Sequence, residues 1–255
     1  MNADIIAIKP HLNQSNLHSW QFDAGSETAF VTISGIGYPD ADVPSYEFAR
    51  CATNRGTRSA VFLSDPHRSW LASDRLIEAM AQAIEAFKAS VGAKRIIALG
   101  HSLGGFTALV LPAFTQIDRV IALAPQLSVD PSIVPSETRW QRYLAKITDH
   151  RIKLASDFMV PDTHYTIVHG QHPREAVQRN LVPQAPNICH YVMPKTNHNV
   201  PQRLKQIGKL IPFVNAIASG QDQTAQQIMQ THFQVEPTPK KTHQKPTLSP
   251  LLEGN

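Results

Sequence analysis

The chain has 255 residues, 42 % of them apolar and 17 % charged, with 24 Lys and Arg against 20 Asp and Glu for a formal charge of +4. That length suits one large domain or two small ones, and it can bury a core without staples. The basic residues form no concentrated patch, and two cysteines (Cys51 and Cys189) are too few for a disulfide scaffold, so neither a nucleic-acid binder nor a disulfide-rich mini-protein is expected. The first ten residues lack a basic n-region and a long apolar stretch, and no run approaches ~18 apolar residues, so neither a secretory signal nor a membrane span is expected. The expectation is a soluble, cytoplasmic, globular protein.

In chain order, short apolar runs read as strands at 29–33, 60–63, 95–99, 120–123, 165–168 and 189–193. They are rich in β-branched residues and nearly apolar throughout, as in strands buried on both faces of a parallel sheet. Between them lie helical patterns. One runs from an N-cap at Asp74 to about Ser90, with Leu76, Ile77, Met80, Ala81, Ile84 and Phe87 on one stripe. Others cover about 103–113, 136–148 and 201–218, with Pro212 predicting a kink or break in the last. Alternating strands and helices imply right-handed crossovers and an α/β fold with an open, mostly parallel sheet and helices on both faces. The forty or so residues between the fourth and fifth strands exceed a plain crossover, so about 126–163 reads as a short lid with Trp140, Tyr143, Leu144 and Ile147 on a helical stripe. From 220 to 255 the chain turns to Gln, Thr, Pro and Lys. This predicts a domain of 1–219 and a flexible tail, with 221–229 a fraying helix and 234–255 disordered.

The chemistry concentrates at Gly100-His101-Ser102-Leu103-Gly104, a G-x-S-x-G string between a strand and a helix. A turn that short strains the backbone at Ser102, and side chains two positions either side would clash, which explains both glycines. It lifts the Ser102 hydroxyl above the carboxyl end of the sheet as a nucleophile elbow. A serine nucleophile needs a base within hydrogen-bond reach.

On the elbow, the strand order and a late histidine, residues 27 to 218 resemble the α/β-hydrolase family. The resemblance implies an α/β-hydrolase-like fold and a triad in the order Ser, acid, His. His198 follows the last strand and matches the family's base by position, with Asn197 where the family often has Gly. The resemblance also implies an oxyanion hole from the amides of Leu103 and Ile36, the latter in Ser34-Gly35-Ile36-Gly37. The acid is less direct. The expected Asp after the strand ending at Gly170 is absent. Glu175 is the one carboxylate in that loop, Asp130 after the preceding strand is the second candidate, and a site without an acid is the third. His101 is a neighbour of the nucleophile rather than its partner. His164, His169 and His172 match no zinc spacing, so no metal and no organic cofactor are expected.

These readings imply a serine hydrolase that cleaves an ester-type bond of a small-molecule acyl substrate through an acyl-enzyme. Two alternatives accompany it: an acyltransferase using the same serine, and a non-catalytic scaffold that has kept the fold.

Overall fold

The computed structural model describes residues 7–238. Eight strands form one sheet: β1 Lys9–Asn13, β2 His18–Phe22, β3 Thr28–Ile33, β4 Ala60–Ser64, β5 Arg95–His101, β6 Arg119–Leu123, β7 His164–Gly170 and β8 Ile188–Met193. Their order is β1-β2-β4-β3-β5-β6-β7-β8. From β3 through β8 every pairing is parallel, whereas β1 and β2 run antiparallel to each other and β2 runs antiparallel to β4. The six expected strands are all present. The added pair β1 and β2 lies at an edge, where half-exposed polar residues blur the apolar pattern.

The helices are α1 Ala49–Ala52, α2 Leu76–Val91, α3 Leu103–Val110, α4 Gln141–Leu144, α5 Ala176–Arg179, α6 Val200–Gln206, α7 Leu210–Ala218 and α8 Asp222–Phe233. One face of the sheet packs against α2 and α3, with Met80, Ile84, Phe87, Phe106 and Leu109 in that core. The other face packs against α6, α7 and α8, with Leu204, Phe213, Val214, Ile217 and Met229 in it. Each such side chain contributes ~1.5–3 kcal/mol by leaving water. This two-sided burial is why the central strands are apolar at nearly every position.

Four local expectations differ from the structure. No side chain caps α2; Arg75, in left-handed backbone with φ 52°, precedes it in place of Asp74. The 201–218 pattern breaks at Gly208, φ 68°, and not at Pro212. Pro212 instead falls in the first turn of α7, where backbone N–H groups have no intrahelical acceptor to lose. The 136–148 helix shrinks to the single turn α4. There Glu137 bonds both the backbone and the side chain of Arg139, a pairing that a helix, whose i and i+2 side chains diverge, does not allow. Finally, the 221–229 segment is part of the twelve-residue α8, whose Ala225, Met229 and Phe233 are buried. Its polar face hid a sparse apolar stripe at four-residue spacing. Residues 239–255 of the expected tail lie outside the described residues.

Candidate active site

β5 passes directly into α3, and the change of direction falls on Ser102, at φ 57° and ψ −121°. Only crowding by its surroundings keeps a residue with a side chain in such backbone. A Cβ on Gly100 would lie 2.1 Å from the Gly104 carbonyl oxygen, and one on Gly104 would lie 2.1 Å from the Ile33 carbonyl oxygen. The turn is therefore pressed against its own helix and against the end of β3. Ser102 is buried, and its amide donates to the Leu123 carbonyl of β6 at 3.0 Å.

His198 stands beside this turn, in the loop between β8 and α6. The His101 Nε2–H donates to the His198 carbonyl at 3.0 Å, and the two rings are 4.8 Å apart. Burial, then the neighbouring His198, lowers the His101 pKa to about 4 and keeps it a neutral donor. That loop also packs on the end of β7, where a Cβ on Gly170 would lie 2.2 Å from the Asn197 carbonyl oxygen. The His198 Nδ1 meets Glu175 Oε2 at 3.1 Å, while Nε2 is buried with no hydrogen-bond partner among the described residues. Trp140 lies against the same ring, 6.4 Å between centroids.

Glu175 is only 2 % exposed, and its other oxygen accepts from Arg139 Nη1 at 2.6 Å. Arg139 is in turn clamped by Glu137, with Nε to Oε1 at 2.8 Å and Nη2 to Oε2 at 2.6 Å. Gln178 Nε2 donates to the same Glu137 at 3.2 Å. Burial opposes ionisation of Glu175, but the hydrogen bond and charge of His198, then the charge of Arg139, outweigh it and hold the carboxyl at about 2. The row Glu137, Arg139, Glu175 carries one net negative charge beside the imidazole. The carboxylate at 3.1 Å fixes the tautomer with Nδ1–H toward Glu175.

The loop after β3 lies across the turn from α3. The buried guanidinium of Arg68 ties it down, donating to the carbonyls of Ile36 at 2.9 Å, Ala41 at 2.6 Å and Pro66 at 2.9 Å. Glu47 hydrogen-bonds the Gly35 amide of this loop; burial raises the Glu47 pKa to about 7, partly offset by that bond. The Leu103 amide opens α3, where helix geometry supplies no acceptor for it.

On the other side, Gln126 follows β6. It is wholly buried, and its Nε2 donates to Ser102 Oγ at 3.0 Å. Its Oε1 accepts from Trp70 Nε1 at 3.4 Å.

Comparison with known proteins matches residues 17–253 to the model of the alpha/beta hydrolase family. The chain belongs to that family. Alpha/beta hydrolase architecture is also what it shares with solved structures at low identity. The capsule O-acetyltransferase of Neisseria meningitidis serogroup A is 13 % identical, with TM-score 0.58 over 86 % of this chain and 97 % of that one. Est1E from Butyrivibrio proteoclasticus is 14 % identical, with TM-score 0.56 over 85 % and 98 %. An esterase of Pyrococcus furiosus is 14 % identical, with TM-score 0.52 over 80 % and 88 %. No curated protein matches the chain.

Within this alpha/beta hydrolase, the residues singled out in the sequence separate clearly. Glu175 pairs with His198, and the His198 loop is tied to His101 beside Ser102, but no hydrogen bond joins His198 Nε2 to Ser102 Oγ among the described residues. Leu103 follows Ser102 at the start of α3, and Ile36 lies in the loop after β3. Asp130 does not join them: its carboxylate accepts from the Ser132 amide and hydroxyl at 2.8 and 2.7 Å. The histidines 164, 169 and 172 form no metal-binding cluster among the described residues. His169 instead bonds His190 at 3.1 Å and the Pro125 carbonyl at 2.9 Å, which steadies the residue before Gln126. Arg139, Glu137, Gln126, Arg68 and Glu47 escaped the sequence reading. None sits in a motif, and each acts across at least two separate segments.

Proposed function

We propose that this alpha/beta hydrolase is a serine enzyme that cleaves ester-type bonds of small acyl substrates through an acyl-enzyme. The observation that carries the reading is the pairing of Glu175 with His198 Nδ1 beside the strained turn at Ser102. In this reading His198 Nε2 takes the Ser102 proton as Oγ bonds the acyl carbon. The carbonyl oxygen becomes an oxyanion facing the amides of Leu103 and Ile36. The tetrahedral species then collapses, and the leaving oxygen departs with the proton from His198. Water next gives a proton to His198 and bonds the acyl carbon, and Ser102 Oγ leaves with that proton. Glu175 orients the imidazole throughout and stays ionised.

Transfer of the acyl group to an alcohol other than water is the second reading. The resemblance in fold to a capsule O-acetyltransferase supports it. A scaffold without catalysis is the remaining alternative.

A serine-directed fluorophosphonate probe tests the proposal. Labelling at Ser102, lost in Ser102→Ala and in His198→Ala, together with turnover of a small activated ester, is expected. Folded protein that takes no label would leave the scaffold. Added alcohol acceptors that divert the acyl group would select the transferase.

A further inference from the structure

Trp70 and Gln126 come from opposite sides of the site. Trp70 lies in the loop after β4, and Gln126 lies in the loop after β6. The order β4-β3-β5-β6 places two strands between them. At ~4.8 Å per strand the two loops leave the sheet ~14 Å apart. Their side chains nevertheless meet, Nε1 to Oε1, at 3.4 Å. The pair therefore forms a bar over the ends of β3 and β5, from which Ile36 and Ser102 emerge. Gln126 completes it with the 3.0 Å bond to Ser102 Oγ.

Both ends of the bar are anchored. The Asp65 carboxylate accepts from the amides of His67 at 2.8 Å and Ser69 at 2.5 Å, which shapes the turn leading to Trp70. Arg68, Trp70 and Leu71 all hold left-handed backbone, at φ 52°, 48° and 64°. Three side-chain-bearing residues in that region within four positions mark a segment whose geometry is imposed by its contacts. At the other end, His169 holds the Pro125 carbonyl at 2.9 Å, and Gln178 accepts from the Leu127 amide at 2.7 Å. Trp70 is 2 % exposed and Gln126 is fully buried, so the bar is packed from behind. A cleft of about 1070 Å³ does exist, but Glu47, Cys51, Pro201 and Leu210 line it and Ser102 does not.

We infer that the Trp70–Gln126 bar limits this site to short acyl groups, of about acetyl size, with Gln126 the residue that sets the limit. The inference rests on the acyl-enzyme reading above. An acyl chain bonded to Ser102 Oγ starts at the atom Gln126 touches, and lengthening it drives methylenes into a wall tied to two strands. The larger part of the substrate is then its alcohol.

Rates with p-nitrophenyl acetate, butyrate and octanoate test it. The wild-type kcat/KM is expected to fall at least tenfold from acetate to butyrate and further to octanoate. Gln126→Ala opens the wall and raises the butyrate-to-acetate ratio at least fivefold, while lowering acetate turnover. Gln126→Leu keeps the volume and loses the hydrogen bonds, so it keeps the preference for acetate. Trp70→Phe shortens the bar from its other end and shifts the ratio in the same direction as Gln126→Ala, which serves if the alanine variant does not fold. Wild-type preference for octanoate, or an unchanged ratio in folded Gln126→Ala and Trp70→Phe, overturns the inference while fluorophosphonate labelling leaves the acyl-enzyme reading standing. Folded protein without labelling and without turnover of any ester overturns both.

Discussion

Arg139 donates to Glu175 at 2.6 Å, joining the segment between β6 and β7 to the carboxylate that holds His198. The same guanidinium is 3.5 Å from His198 Nδ1 and is neutralised from behind by Glu137. The segment between β6 and β7 and the imidazole are thus joined by one ion-pair network.

Arg139→Ala leaves two carboxylates facing each other without a cation. Breaking a buried pair on one side costs ~3–5 kcal/mol; Arg139 keeps 20 % of its side chain exposed, so ~2–3 kcal/mol is expected by chemical denaturation. The sign with pH follows from Glu175. Its pKa is depressed to about 2, so its stabilising contribution is present above its unfolded value of 4.5 and is lost as pH falls toward 2. Losing Arg139 raises that pKa, and the acid unfolding midpoint moves to higher pH. An unmoved midpoint would contradict the network.

Glu175→Gln keeps the shape and removes the carboxylate that accepts from His198 Nδ1. A kcat loss on the order of 10³–10⁴ is expected in ester hydrolysis, with KM little changed. Asp130→Asn, whose carboxylate serves Ser132, is expected to retain activity within about twofold. A reversal of these two results would reassign the acid.

Glu47 titrates within the physiological range. Its folded pKa, raised to about 7 by burial, exceeds the unfolded 4.5, so stability is greatest below pH 4.5 as far as this group is concerned and declines through pH 7. Glu47→Gln retains an acceptor for the Gly35 amide without the charge. The variant is expected to flatten the melting temperature between pH 5 and 8 and to gain up to ~3 kcal/mol at pH 8, at ~1.4 kcal/mol per pKa unit. Parallel pH profiles for the two proteins would exclude the assignment.

Met229 tests α8. It is fully buried against α7 and the sheet, so Met229→Ala is expected to cost ~2–5 kcal/mol in urea unfolding. A cost below ~0.5 kcal/mol, the range of surface substitutions, would mean that α8 is dispensable to the fold.

The sequence by itself determined the parallel sheet and the turn at Ser102. Both are local: two-sided burial writes itself as unbroken apolar runs, and a strand-to-helix turn without room for a Cβ at Gly100 and Gly104 demands glycine there. The family resemblance, which puts the acid in the loop after β7, ranks Glu175 ahead of Asp130; chain order alone admits both. Tertiary structure decided the rest. Whether Glu175 or Asp130 faces His198 depends on how two loops of ordinary composition fold back over the sheet. The helix expected at 136–148 is the single turn 141–144, with Glu137 and Arg139 paired across positions that helix geometry separates and tied to Glu175 of a distant loop. The break at Gly208 and the burial of α8 likewise depend on packing against a distant face. Gln126, Trp70 and Arg139 carry no motif, since their meaning lies in contacts 24 to 56 residues away in sequence. Such contacts arise only once the sheet has brought its loops to one edge.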